Sequence, residues 1–298
     1  MNDSKKEETS THQNMSFFHI VQREFIRDKA AMFALIILIV TTLFIIIAPL
    51  FIDSEWALTV NPRRINQPPS AAHILGTDIA GRDVFALLVK GAGTSLMVAL
   101  AVTLMSAFIG ITLGLISGYF GGKFDNAMMR IVDFISTLPA LVMIIAFLAV
   151  FPGFNVITFS LIMTFFSWTG IMRLVRARSI QEKELEYIQA SKTLGTPHFK
   201  TIFRELLPNV SSILIVNLTL NTAANVGLET GLSFLGFGFP FTEPSLGALI
   251  ASASDPIVMQ HRWWNWIPAA IFVLVLMLSI NTIGQTLNRA TDARMRRG

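Results

Sequence analysis

The chain contains no cysteine, which removes disulfides, iron-sulfur clusters, thiolate zinc sites and cysteine nucleophiles together and leaves the redox compartment unread. Charge is scarce as well: 14% of the residues are Asp, Glu, Lys or Arg, against roughly 25% in a soluble domain. That deficit excludes an ordinary water-soluble globule, because 53% of the 298 residues are hydrophobic and the mean hydropathy is +0.60. The excess apolar mass must face lipid rather than fill a core that grows only with volume. Nucleotide-binding and hydrolytic signatures are missing too. No Gly-x-x-x-x-Gly-Lys-Ser/Thr occurs, since the one Gly-Lys pair, Gly122-Lys123, is followed by Phe124. The five histidines, His12, His19, His73, His198 and His261, stand far apart without metal-ligand spacing, and neither His-Glu-x-x-His nor Gly-x-Ser-x-Gly is present. The expectation is a chain with no catalytic residues, no metal site and no cofactor bound by itself.

What remains is a set of long charge-free runs. Between Lys29 and Asp53 lie 23 uncharged residues, which as helix reach about 34 Å, enough for a hydrocarbon core of about 30 Å. A cleavable signal peptide is the competing reading, but the polar lead carries five acids and no small-x-small site follows. Further runs cover Gly91–Gly122, Phe134–Met172, Leu206–Leu228 and Trp263–Asn288. The third is too long for one helix, and Phe151-Pro152-Gly153-Phe154-Asn155 divides it into a tight hairpin. The fold class is therefore an all-α polytopic membrane protein with six transmembrane helices, at about 30–52, 92–118, 127–150, 155–173, 209–235 and 264–287. A tail (1–29), an external loop (53–91), a loop at 174–208 and a second tail (289–298) complete the chain.

Orientation follows from the basic residues. Eighteen of the 23 Lys and Arg lie on one side, five before span one, Lys123 and Arg130 about the turn between spans two and three, seven from Arg173 to Arg204 and four from Arg289 on; Arg63, Arg64, Arg82, Lys90 and Arg262 fall on the other side. This bias predicts cytoplasmic N and C termini. Trp263, Trp264 and Trp266 gather at the external start of span six, where an aromatic belt is expected. The net charge of +4 and pI near 9.6 thus report topology, with no call for a nucleic-acid partner.

The 174–208 loop is patterned. Ser179-Ile180-Gln181-Glu182 fits a capping box and predicts a helix start. That helix would carry Leu185, Ile188 and Leu194 to Gly195, a residue able to end it in the left-handed conformation. Thr196-Pro197 would begin a second helix, with Phe199, Ile202, Phe203 and Leu206, running to Leu207-Pro208 at the membrane surface. Periodicity alone leaves open an amphipathic connector lying on the headgroups.

Glu186-Tyr187-Ile188-Gln189-Ala190-Ser191, Gly195 and Leu206-Leu207-Pro208-Asn209 resemble the EAA loop of ABC importer permeases, with Gln189 in place of the usual Glu and Ser191 in place of the second Ala. His73-Ile74-Leu75-Gly76-Thr77-Asp78, Gly81-Arg82-Asp83, Gly118-Tyr119-Phe120-Gly121-Gly122, Leu232-Ser233-Phe234-Leu235-Gly236 and Pro244-Ser245-Leu246-Gly247 are similar to ordered motifs of the dipeptide, oligopeptide and nickel branch. The resemblance spans nearly the whole chain and is closest to the C-type oligopeptide subunit. It implies the type I importer permease fold and location in the bacterial plasma membrane. It also implies a second homologous permease, two cytoplasmic ATPase subunits that use ATP and Mg, and an external substrate-binding protein. Glu186, Gln189, Ala190, Ser191, Gly195, Pro197, Leu207 and Pro208 would form the coupling loop that seats on an ATPase. The 53–91 segment, with Trp56, Pro62, Pro68 and Pro69, and the Phe237–Arg262 loop would meet the binding protein. Cargo is an oligopeptide or dipeptide, with nickel or another small solute as the alternative; an ion-coupled secondary transporter is the alternative from another class.

Within span five, Asn217, Asn221, Asn225 and Glu229 recur every four residues and form one slowly drifting stripe. Either they bond neighbouring helices or they form a polar wall of the translocation path. Glu229 falls near the external end, where desolvation would be small. Arg130 and Asp133 are spaced for a local ion pair, and Ser106, Gly110, Gly114 and Gly118 for close helix packing.

Overall fold

The computed structural model describes residues 17–52, 57–151, 155–240 and 243–295; Trp56, His12 and the turn expected at 152–154 lie outside them. The described residues are helical apart from loops and one isolated antiparallel bridge, Thr77 to Asp83. Five helices are long and apolar enough to cross a membrane, and a sixth span results if one bent pair is counted as a single crossing.

A short amphipathic helix, α1 (Phe17–Arg27), leads into the first span, α2 (Lys29–Ile47). Asp28 separates them because its carboxylate accepts from the amides of Ala30 (2.9 Å) and Ala31 (3.2 Å), which caps α2. The segment 57–83 then folds over one end of the bundle. Asp83 caps α3 (Val84–Phe120) by accepting from Ala86 at 3.0 Å. At 37 residues α3 is longer than the expected 92–118, since its first turns stand beyond the charge-free run and carry exposed Lys90. It stops at Gly121, whose φ is +65°.

The third span departs from a straight 127–150 helix. It is split into α4 (Gly122–Thr137) and α5 (Ala140–Val150), bent by 79°. Pro139 is the cause: it has no N–H to continue the ladder and drives Leu138 into the extended region (φ −81°, ψ 133°). Helix α6 (Val156–Glu182), capped by Asn155, extends past 173, so the capping box expected at Ser179 does not form. Ser179 lies inside α6, and its hydroxyl donates back to the Val175 carbonyl at 2.8 Å. The preceding turn is already helical, which leaves no free amides to cap. Two helices follow: α7 (Glu186–Thr193) and α8 (His198–Phe237). Helix α8 does not end at Leu207-Pro208 but passes through a π-helical turn, Thr201–Leu206, into span five. Short helices α9 (Leu246–Ala251) and α10 (Pro256–His261) precede the last span, α11 (Ile267–Met295).

The core is built on α3. On one side it meets α6 along the small-residue stripe, where a Cβ on Gly118 would stand 2.5 Å from Ser179 Cβ and 2.8 Å from the Arg176 carbonyl oxygen. On the other, Ala92 and Ala99 pack with Ala223 and Val226 of α8 and Leu276 of α11. Asp133 pairs with Arg173 of α6 at 2.8 Å, not with Arg130, and so ties α4 to α6. Outward side chains such as Phe33, Leu104 and Phe108 are more than half exposed, as a lipid-facing surface requires. Trp264 is buried under the 57–83 segment and donates to the Thr77 carbonyl at 3.3 Å, while Trp263 stays exposed. Trp264 of the tryptophan cluster therefore holds the 57–83 loop.

Candidate functional site

The end of the bundle that carries α7 is densely braced. Helix α7 closes with a double hydrogen-bonded turn: the amide of Gly195 bonds the Lys192 carbonyl (3.0 Å) and that of Thr196 bonds the Ser191 carbonyl (3.1 Å). Gly195 supplies the φ of +80° that this closure needs, as expected. Pro197 occupies the residue before the next helix (φ −59°, ψ 139°) rather than its first turn, and no side chain, Thr196 included, caps it. The result is a helix-glycine-helix elbow.

Ile188 is the buried residue of α7, and Ile202 and Leu206 are buried at the root of α8. Polar contacts lock the two arms. Ser191 Oγ donates to Glu205 Oε1 at 2.7 Å and lies 2.9 Å from Thr196 Oγ1. Asn209 Nδ2 donates to the Tyr187 hydroxyl (2.8 Å) and to the Glu205 carbonyl (2.6 Å), while that hydroxyl donates to Glu182 Oε2 at 3.1 Å. Partial burial, reinforced by the carboxylates of Glu182 and Glu205, pushes the Tyr187 phenol up to about 12, so it remains a neutral donor across the physiological range. The π-helical turn stands directly before Pro208, where the missing N–H and the ring's demand for space near the Arg204 carbonyl favour a widened turn.

The elbow is also fixed to α3. The Tyr119 hydroxyl lies 2.9 Å from His198 Nδ1, and Lys192 Nζ stands 4.8 Å above the Tyr119 ring. Below it Asp125 accepts from Ser117 and from both arms of the Arg176 fork, one of them at 2.6 Å. Sequence reasoning missed Tyr119, Glu205 and His198 as braces, because their partners lie 79 and 14 residues away and no local pattern links them.

The expected loop residues thus fall on one protrusion. Glu186, Gln189, Ala190, Gly195, Pro197 and Pro208 are exposed on it; Ser191 and Leu207 are half-buried. Gln189 turns back and donates to the Lys183 carbonyl at 2.7 Å. Leu194 is 86% exposed and Phe199 69% exposed, with Phe199 stacked on Phe203. An apolar knob on a braced elbow is suited to a groove in another subunit.

The stripe on α8 divides in two. Asn217 and Asn221 are half-buried and bond each other at 2.7 Å. Asn225 is buried and donates to Thr103 Oγ1 of α3 at 2.9 Å. Glu229, expected near solvent, is 0% exposed, because α3 and α9 close over it. Its Oε1 accepts from Ser233 at 2.9 Å, and Ser233 Oγ lies 3.4 Å from Ser245 Oγ.

A polytopic helical bundle with such an elbow defines a transporter's membrane subunit. Residues 110–297 match the family described as binding-protein-dependent transport system inner membrane component, and the chain belongs to it. Residues 16–69 match the N-terminal transmembrane domain of oligopeptide transport permease C. The chain is 43% identical over 285 residues to the oligopeptide transport system permease protein OppC of Lactococcus lactis subsp. cremoris (strain SK11), covering 95% of this chain and 97% of that one. It is 34% identical over 300 residues to the dipeptide transport system permease protein DppC of Bacillus subtilis (strain 168), covering 100% and 92%. OppC of the same Bacillus strain is 33% identical over 290 residues, with 97% and 94% covered. The protein is accordingly a non-catalytic, multi-pass ABC transporter permease subunit of the bacterial cytoplasmic membrane.

Proposed function

We propose that the chain forms half of the translocation pathway of an ATP-driven oligopeptide importer, beside a second, similar permease. The observation that carries this reading is the braced elbow with its exposed Leu194 and Phe199, because a stiff knob passes a rigid-body displacement into the helices it joins. Its two arms, α7 and the root of α8, continue into α6 on one side and into span five on the other, so a push on the elbow moves both spans together. The motor is a pair of cytoplasmic ATPases using ATP and Mg, which places the elbow and both termini in the cytoplasm, in keeping with the distribution of Lys and Arg. Peptide cargo rests on the oligopeptide and dipeptide relatives and is favoured by them over nickel. Asn217 and Asn221 line the path, and Asn225 and Glu229 hold α8 to α3 and α9 behind it. Residues 57–83 and the segment around α9 and α10 receive the external binding protein.

The test is reconstitution with the second permease, the ATPases and the binding protein. Oligopeptide uptake should require ATP hydrolysis and should stop when ATP is removed under a maintained proton gradient. Uptake that continues under that gradient, or by this chain alone, would overturn the reading.

A further inference from the structure

Helix α1 is not used by the coupling scheme. It ends at Arg27 and the first span begins at Lys29, so α1 lies where that span meets the headgroups. It shares this end of the molecule with the elbow, since α2 leaves it, α3 returns to it, and α3 ends at Tyr119 against His198. The inward face is fully employed: Phe25 is buried, and with Val21 it packs on Ala31 and Ala34 of α2 and on Ile283 and Leu287 of α11. The outward face has no protein over it among the described residues. Gln22, Arg23, Ile26 and Arg27 line a shallow depression there. Ile26 is 62% exposed, and Phe33, on the adjoining turns of α2, is 66% exposed.

The two arginines stand four residues apart and therefore project from one face about one turn from each other. No ion pair engages either of them among the described residues; Asp28 is committed to Arg289 and to the cap of α2. Two guanidiniums that no ion pair engages among the described residues, beside exposed Ile26, match an amphiphile with an anionic head and an acyl chain. The planar guanidinium fork suits phosphate oxygens, and each basic side chain near the surface strengthens attachment to an anionic leaflet. A choline lipid carries its own counter-charge and gives no such gain.

We propose that Arg23 and Arg27, with Gln22 and Ile26, form a seat for the headgroup phosphate of an anionic phospholipid in the leaflet on the elbow side. The test uses the full-length chain in detergent, with native mass spectrometry after addition of phosphatidylglycerol or phosphatidylcholine. Wild type should retain phosphatidylglycerol in preference. The double variant R23Q/R27Q should lose about ten-fold of that retention, and R23K/R27K should keep most of it. The variant K123Q/R130Q, which removes two exposed charges at the same end, should stay within about two-fold of wild type. Undiminished retention by R23Q/R27Q overturns the proposal. So does an equal loss in K123Q/R130Q, which would mean diffuse surface charge, or displacement by inorganic phosphate as readily as by lipid, which would mean a free-anion site. If R23Q/R27Q does not elute as a monodisperse helical protein, the single variants R23Q and R27Q carry the same test, with expected losses of about three-fold each.

Discussion

At the scale of single residues the contact between α3 and α6 is a tight constraint. Any side chain at Gly118 meets the Ser179 Cβ and a backbone oxygen, neither of which can swing aside. Gly118→Val should therefore destabilise the protein by about 1–3 kcal/mol, the usual cost of overpacking, or more if α6 must shift. Gly170 lies on α6 with nothing within 4 Å of a Cβ, so Gly170→Ala should be neutral or mildly stabilising. Thermal unfolding of the purified variants in detergent checks both. Equal effects of the two changes would mean that helix propensity, not close approach, governs these positions. The small-residue spacing was legible in the sequence because it is periodic on one helix. The burial of Glu229 was not, since it depends on α9 folding back over α8, a tertiary event without local signature.

At the scale of elements the elbow makes a sharp demand on one dihedral. A β-branched side chain in the left-handed conformation costs about 1–2 kcal/mol, enough to loosen the closure of α7 without affecting insertion of the spans. In the reconstituted complex Gly195→Val should lower uptake about five-fold or more while ATP hydrolysis continues, the order of rate lost to 1 kcal/mol. Gly195→Asn should restore most uptake, because Asn tolerates that conformation. Normal uptake by the Val variant would reduce the elbow to a connector. The glycine and the apolar periodicity announced this element, and Ile188, Ile202 and Leu206 are buried as an elbow's inner face requires. Its start was misread at Ser179, because a Ser-x-x-Glu pattern caps only amides that are free, and α6 had already claimed those. The break of span three was also concealed: its uncharged run is continuous, and only Pro139 marks where the chain turns by 79°.

At the scale of the whole molecule the first span behaves as an attachment to the rest. Separate families match residues 16–69 and 110–297, and α1 and α2 are packed chiefly on α11 through Phe25, Ala31, Ala34 and Ile283. The first and last described helices are thereby joined, and Asp28 is the joint: it caps α2 and forms an ion pair with Arg289 of α11, which also donates to Thr286 Oγ1 at 2.9 Å. The amide of Ala31, then that of Ala30 and the Arg289 guanidinium, hold the Asp28 carboxyl below its ordinary value of 3.8, against the opposing effect of desolvation. A carboxyl lowered in the folded state contributes stability that is complete above 3.8 and is lost as pH falls through the folded value. Asn caps a helix as well as Asp does but carries no charge. Asp28→Asn should therefore lower the unfolding midpoint of the detergent-purified chain at pH 7 through loss of the Arg289 pair. The gap from wild type should then narrow as the pH is taken below 3.8, where the wild-type carboxylate is also neutralised. A gap that is constant across that range would show that the joint holds by packing alone, with Phe25 and Ile283 rather than Asp28 closing the bundle.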